Sequence, residues 1–220
     1  MAKFNITFLK KQLEPAMSDP KLKALAISMA KSRFENRKKL FLEKLEEHNV
    51  TKELRTGENA ENISGTLPVG HEGANLFSFI GFYKGSDPIG ELRRVLEEGI
   101  ILKNTINPII KKRQFQFQFE VEIPKNSEIW EATPFPDWDG GISWVRGIET
   151  YISGLSHYIY WKRNLPSRST TGIQSQGSGG LRNSRFKKTD YISKMLDSLK
   201  TLLRDEYKRD TGGRFTGGLT

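Results

Sequence analysis

A strictly alternating stretch near the middle of the chain limits what this sequence can fold into. Residues 113–124 read RQFQFQFEVEIP, where apolar side chains occupy every second position and polar ones fill the gaps. A period of two predicts a β-strand with one apolar and one polar face. Exposed phenylalanines in a row favour aggregation, so we expect the apolar face to pack in the core or against another subunit. This face comprises Phe115, Phe117, Phe119, Val121 and Ile123.

We expect this strand to be one arm of a long, projecting β-hairpin. The sequence PKNSE suggests a turn at residues 124–127, after which EIWEATPF returns beside the first arm. Ile129 and Trp130 then join the surface that contacts a neighbouring subunit. In this arrangement the basic run at residues 111–113 lies at the base of the hairpin and the turn at its tip.

Two Asp-Pro pairs predict helix starts, because aspartate is a favoured N-cap and proline suits the first helical position. Asp19 and Pro20 open a long amphipathic helix that runs to about His48. Asp87 and Pro88 open a shorter helix that closes near Gly99. In the long helix the apolar stripe shifts near residue 33, and its members are Leu22, Leu25, Ala26 and Met29, then Phe34, Phe41 and Leu45.

The remaining elements predict an α+β fold, a mostly antiparallel sheet with helices packed on it. Strands are expected at residues 62–67 and 75–83, in 100–112 with an interruption at Pro108, and in 155–163. Residues 75–83 are apolar on both faces, which favours a central strand. A short helix is expected around Trp144.

The composition of the chain divides it into five segments. Residues 1–18 form an N-terminal arm, and 19–162 form the α+β domain. Residues 163–188 are rich in Gly and Ser and predict a flexible basic loop or linker. A C-terminal amphipathic helix follows at 189–210, and residues 211–220 are expected to be disordered.

The charge of the chain favours a polyanionic neighbour. The formal net charge is +9, and no acidic residue lies between residues 162 and 188. Such a segment can neutralise phosphates without reading bases, although a solvated loop with incidental charge fits equally well. Its cations are Lys162, Arg163, Arg168, Arg182, Arg185, Lys187 and Lys188. We therefore expect contact with genomic DNA to be nonspecific at most.

The sequence offers little for catalysis, and we expect no enzyme, no cofactor and no small-molecule substrate. The chain has no cysteine, which excludes a disulfide framework, a thiolate metal site and a cysteine nucleophile. None of the three histidines pairs with another at metal-ligand spacing. Glu131 with Asp137 or Asp139 permits a glycosidase hypothesis, but an N-cap and turn explain these aspartates more simply. No apolar run has membrane-spanning length, so we expect no membrane partner.

The order of these elements resembles the virion neck proteins of tailed bacteriophages, of the head–tail connector or tail-completion type. The resemblance rests on the phrases ELRTGENAENISGTL, NLFSFIGF, DPIGELRRVLEEG, QFQFQFEVEIP and PFPDWDGGISWVRGIETYISGLSHYIY, and it covers residues 19–160. It departs from the tail-completion pattern after Arg55-Thr56-Gly57, where ENAEN precedes Ile63. That insertion leaves open which neck ring the chain belongs to.

The resemblance implies a structural protein in the virion neck, assembled in the host bacterial cytoplasm. Its copies would form a ring, with six favoured and twelve possible, around the path of the DNA. The ring would adjoin portal, connector, tail-terminator or sheath proteins. The alternative is a nonspecific nucleic-acid-binding or DNA-packaging accessory protein, which the net charge of +9 favours.

Overall fold

The computed structural model describes residues 15, 18–67, 75–111, 114–136, 142–150 and 187–211, with backbone only for 104–111, 114–116 and 204–211. The chain divides into two compact units. The first comprises residues 1–39, 100–123 and 201–220, and the second comprises 40–99 and 124–200. The predicted strand in 155–163 lies outside the described residues.

The long N-terminal helix is confirmed, as α1 over Pro20–Glu47. Its start follows from its first residues: the Asp19 carboxylate accepts a hydrogen bond from the Lys21 N–H at 2.8 Å. Pro20 occupies the first helical position, where no backbone donor is needed. Because this cap and proline act locally, the sequence alone was sufficient to place the beginning of the helix.

A second helix, α2, spans Asn49–Thr56 and starts from an unusual cap. The N-cap residue is His48, whose Nδ1 accepts a hydrogen bond from the Val50 N–H at 3.3 Å. Gly57 ends the helix with φ at 74°, a conformation that residues other than glycine rarely adopt. A short 3-10 turn, Gly57–Asn59, follows directly.

The predicted strand at residues 75–83 is wrong, because this segment forms the short helix α3, Leu76–Ile80. The Asn75 side chain accepts from the Ser78 N–H at 2.8 Å and so caps the helix. Gly81 closes it in the left-handed region with φ at 89°. The strand predicted at residues 62–67 is also absent, since that described segment is irregular and contains a turn at Ile63 and Ser64.

The helix predicted after Asp87 is confirmed as α4, Pro88–Gly99. The Asp87 carboxylate accepts from the Ile89 N–H at 3.2 Å and from the Gly90 N–H at 3.1 Å. Leu92 is fully buried. The capping and the apolar spacing therefore agree with the sequence prediction.

The described residues contain one sheet, made of two antiparallel strands, so the fold is mostly helical with a small sheet. Strand β1 spans Ile101–Lys111 and runs through Pro108 without interruption, and β2 spans Gln114–Glu122. Residues 114–122 of the alternating stretch thus form a strand, as predicted. The predicted turn at residues 124–127 is wrong, because β2 pairs with the preceding strand and Lys111 lies opposite Gln114.

This pairing reverses the expected orientation of the hairpin. Lys111 and Gln114 are paired at one end of the two strands, whereas Pro124 follows the other end of β2. Lys111, the first residue of the basic run, therefore lies at the end of the paired strands farthest from Pro124, where the prediction placed the base. The period of two identifies β2 as a strand but not its partner, and both the preceding and the following segment could have paired with it.

Three further helices complete the second unit and the C-terminal part of the chain. Helix α5 spans Asn126–Glu131, α6 spans Trp144–Thr150 and α7 spans Ile192–Thr211. The predictions of a helix at Trp144 and of an amphipathic C-terminal helix are confirmed. The extended segment predicted at EIWEATPF is wrong over its first half, which is α5.

The core of the second unit contains side chains from all of its helices. Trp144 contacts Phe82 edge-to-face at a centroid distance of 5.9 Å and lies 6.5 Å from Tyr191. Aromatic pairs in such orientations add to the free energy gained by burial. The fully buried side chains include Leu45, Leu54, Leu76, Phe77, Ile89, Leu92, Leu96, Ile129, Trp144, Ile148 and Tyr191.

A buried carboxylate binds the first residue of α3 and the segment around Ser64. Glu53 is 0% exposed, and its two carboxylate oxygens accept from the Leu76 N–H at 2.5 Å and from the Ser64 N–H at 2.8 Å. Buried carboxylates are costly unless their oxygens are hydrogen-bonded, and both oxygens of Glu53 are. Glu53 therefore joins α2 to the start of α3 and to the segment around Ser64.

Candidate interaction surfaces

The base of the hairpin carries a group of charged side chains. Lys103 lies 3.1 Å from a Glu120 carboxylate oxygen and 3.8 Å from one of Glu122. The hydrogen bond to Glu120, together with the charges of both glutamates, raises the pKa of Lys103. Ile101 lies directly opposite Glu122 in the register and is 44% exposed. Residues directly opposite in an antiparallel pair share a face, so Ile101 lies among these charges.

The register of the two strands is irregular near this base. Leu102 pairs with Val121, but the next pair joins Ile106 to Phe119. Three residues of β1 therefore lie opposite one residue of β2, which is a bulge. Bulges increase local twist and are common where a strand edge needs to be redirected.

The structure places the predicted hairpin-interface residues in two different environments. Phe117, Phe119 and Val121 lie on β2, and Ile123 follows it; all four are partly exposed. Phe115 lies on the same strand, opposite Ile110. These five residues belong to the first compact unit.

Ile129 and Trp130 do not join the hairpin, because they lie in α5, within the second unit. Ile129 is 1% exposed and belongs to the core. Trp130 is partly exposed, and the Arg146 guanidinium lies 4.8 Å from its ring centroid, a cation–π contact. The Lys125 N–H donates to the Glu128 carboxylate at 3.0 Å, a helix-start signal at i and i+3 that the sequence prediction missed.

The first half of α1 exposes an apolar stripe. Leu22, Leu25 and Met29 are 37%, 58% and 48% exposed. Phe34 and Phe41, farther along the helix, are 5% and 4% exposed. At about 100° per residue the two groups lie roughly 140° apart around the helix axis. The shift near residue 33 thus separates an exposed apolar face from a buried one, where the sequence suggested a single stripe.

The exposed stripe lies in a basic part of the helix. Residues 20–34 contain four basic side chains and no acidic one. Lys21, Lys31 and Arg33 are exposed. An apolar stripe beside cations favours a partner surface that is apolar and acidic.

Most of the predicted basic segment, including Lys162, Arg163, Arg168, Arg182 and Arg185, lies outside the described residues.

The end of that segment, Lys187 and Lys188, is described and exposed. The Lys187 N–H donates to the Thr66 carbonyl at 2.8 Å. The Thr189 N–H donates to the Ile148 carbonyl at 3.1 Å. The backbone of this stretch is therefore attached to the second unit, while its lysine side chains face solvent.

An ion-pair network joins three helices of the second unit. Arg55 donates to Glu46 through Nε at 3.3 Å and Nη2 at 3.1 Å, and to Asp87 through Nη1 at 2.6 Å. Arg93 donates to the same Glu46 carboxylate at 2.8 Å. Burial raises the pKa of Glu46, but the hydrogen bonds from Arg55 and Arg93 outweigh it and hold this pKa below its ordinary value. The network has a structural role, since its members satisfy one another.

The described residues offer no assembled catalytic constellation. Within the described ranges, no three His, Asp or Glu side chains are grouped so that they could hold a metal ion. Glu131 is exposed in α5, and Asp137 and Asp139 lie outside the described residues. His48 serves as a helix cap, with its ring 4.8 Å from the Tyr191 ring.

Among the described helices, none has the length and apolar character needed to cross a membrane. Comparison of the chain with protein-family models, with curated proteins and with solved structures gives no match.

Proposed function

We propose that this chain is a structural subunit that joins copies of itself into a ring in the neck of a tailed-phage virion. The observation that carries the proposal is the hairpin β1–β2. Its strands of 11 and 9 residues correspond to a length of roughly 30 Å at about 3.3 Å per residue. That length is large for a sheet of only two strands.

The hairpin is incomplete as a free-standing element. In the part of the chain that the structure describes, no third strand pairs with either edge. Two-stranded hairpins are marginally stable in water and gain stability from a third strand or a covering surface. Phe117, Phe119 and Val121 remain partly exposed on β2. A neighbouring subunit that covers the hairpin accounts for both features.

The resemblance to phage neck proteins supplies the biological setting of the proposal. Those proteins combine a helix packed on a sheet with a long hairpin directed toward a neighbour, and their copies surround the path of the DNA. The net charge of +9 is compatible with a channel that does not repel phosphate. On this proposal six copies, or twelve, form the ring between portal or connector proteins and tail proteins.

Two measurements test the proposal together. Native mass spectrometry of the purified chain over a range of concentrations should detect a closed oligomer of one stoichiometry. Peptide mass spectrometry of purified tailed particles from cells that carry the gene should find the chain in the particle at a fixed ratio to the portal protein. A chain that is monomeric at high concentration and absent from particles contradicts the proposal.

A second candidate function is nonspecific binding to nucleic acid. The observation that favours it is the acid-free first half of α1, together with the exposed Lys187 and Lys188. Binding of duplex DNA at low salt should then weaken steeply as salt rises, because phosphate contacts release counterions. No binding at low salt excludes this candidate and leaves the ring proposal unaffected.

A further inference from the structure

The first compact unit has an apolar face that is partly exposed. The face consists of Leu22, Leu25 and Met29, which recur at helical spacing along the first half of α1. Leu25 is the most exposed of them, at 58%. Phe34 is 5% exposed and lies on the buried side of the same helix, so the exposed face is a separate surface. We name these three residues the helix face.

The charge around the helix face restricts what can cover it. Residues 20–34 hold Lys and Arg but no Asp or Glu. If two copies docked helix face to helix face, they would bring the lysines of both helices close together. Like charges brought together across an interface cost several kcal/mol and select against such a pairing. The occupant should instead have an apolar centre with carboxylates beside it.

The base of the hairpin has this character. Ile101 is 44% exposed and lies opposite Glu122, and Glu120 lies two residues before Glu122 on the same face of β2. Lys103 forms ion pairs with both glutamates, so these three side chains together carry a net negative charge. The whole of β2 contains two glutamates and no basic residue. We name Ile101, Glu120 and Glu122 the hairpin-base face.

We propose that the helix face of one copy docks on the hairpin-base face of the next copy in the ring. This inference rests on the proposed function, because it names the two surfaces that join the subunits. Leu25 then packs near Ile101, and the basic residues beside it approach Glu120 and Glu122. The two faces are different surfaces of one subunit, so the contact is head-to-tail. Head-to-tail contacts generate rings when their rotation closes.

The absence of cysteine from the chain permits a direct test by disulfide trapping. A tagged Leu25→Cys protein is mixed with an untagged Ile101→Cys protein, and both are oxidised mildly and separated by size under non-reducing conditions. Disulfides form where the two Cα atoms come within about 4.4–6.8 Å. We expect a product with the summed mass of one tagged and one untagged chain. A matched mixture with Glu61→Cys, an exposed position of the second unit, should give little of it.

A second pair of variants tests the same contact without cysteine. Leu25→Glu with Met29→Glu places two carboxylates on the helix face. Ala24→Glu with Ser28→Glu adds the same charge at exposed positions on another side of α1. Burial of uncompensated charge should raise the dissociation constant of the oligomer about tenfold or more in the first variant. The control should stay within about twofold, the range expected for rim charges. Circular dichroism verifies that both variants fold.

The outcomes separate the inference from the function on which it rests. The docking inference is contradicted if oligomers form without the mixed disulfide and also form in the Leu25→Glu, Met29→Glu variant. That outcome leaves the proposal of a ring unaffected. A dominant disulfide between two Leu25→Cys chains also overturns it, in favour of a face-to-face contact. If the unmodified chain forms no oligomer and is absent from particles, both proposals fail. Loss of binding to anionic vesicles in Leu25→Glu with Met29→Glu, with assembly unchanged, assigns the face to a lipid surface instead.

Discussion

The Thr51 and Tyr191 hydroxyl oxygens lie 2.7 Å apart in the buried core, although 140 residues separate them in the chain. Both residues are 0% exposed. This hydrogen bond ties α2 to the residue that immediately precedes α7. Burial, more than the opposing hydrogen bond from Thr51, raises the pKa of Tyr191 far above its ordinary value, so its hydroxyl remains protonated.

Replacement of Tyr191 by Phe should destabilise the second unit, because it leaves the Thr51 hydroxyl buried without this partner. The expected loss is about 1–3 kcal/mol in the free energy of unfolding, measured by urea denaturation. The double variant Thr51→Val with Tyr191→Phe removes both polar groups and should recover part of the loss. Additive losses in the double variant contradict a direct coupling between the two hydroxyls.

Replacement of Glu53 by Gln should also be costly, although the two side chains are nearly the same size. Both Glu53 oxygens accept hydrogen bonds from backbone N–H groups, whereas glutamine offers one oxygen and turns an NH₂ group toward the other donor. We expect a loss of about 2 kcal/mol, within the range for a buried donor left without an acceptor. Glu61→Gln, at an exposed position, should change the free energy of unfolding by about 0.5 kcal/mol or less.

Stability should fall as the pH drops below the ordinary pKa of histidine, because the folded protein holds His48 neutral. Burial lowers the pKa of His48 from 6.5, against a smaller opposing effect of a hydrogen bond with the Asp190 backbone. Between the lowered pKa and 6.5 the unfolded chain binds more protons than the folded one, so protons favour unfolding there. Protonation also removes the Nδ1 lone pair that accepts from Val50.

The matched variant for this effect is His48→Asn, since asparagine caps helices and does not titrate. Its unfolding free energy should change less with pH between about 6.5 and 5 than that of the unmodified protein. The difference between the two proteins isolates His48 from the histidines at 71 and 157. Identical pH profiles contradict the role assigned to His48.

The parts of the fold that local signals determine could be predicted from the sequence. Asp19 and Asp87 cap their helices through the next few residues, so no distant contact is needed to place α1 and α4. The period of two in residues 114–122 likewise predicts a strand by itself. These signals operate within one turn or one strand, which is the range that a single sequence reveals.

The elements that were predicted wrongly are those for which the local sequence suits two structures equally well or for which a distant contact decides the structure. Residues 75–83 are apolar on every side, and a short apolar run of this kind suits a strand or a buried helix equally well. Asn75 and Gly81, at the spacing of an N-cap and a left-handed C-cap, favoured the helix and were available in the sequence. The exposed character of Leu25 could not be foreseen, since an apolar helical stripe ordinarily marks the core.

Shortening the hairpin tip should separate folding from assembly. In this variant a two-residue turn replaces residues 109–116. The change removes the end of the hairpin but keeps the pairing of Leu102 with Val121 in the remaining strands. The second unit lies outside this segment, so its thermal unfolding midpoint should stay nearly unchanged. Oligomer formation, followed by sedimentation velocity, should weaken. Unimpaired assembly contradicts the role of the hairpin as a contact with a neighbouring subunit.

The central claim, that this chain is a ring-forming subunit of a phage neck, is tested most directly by electron cryomicroscopy of purified tailed particles. The reconstruction should show a closed ring of six or twelve copies between portal and tail, with each β1–β2 hairpin against the adjacent copy. A neck of particles from the same cells whose density is fully accounted for by other chains contradicts the claim.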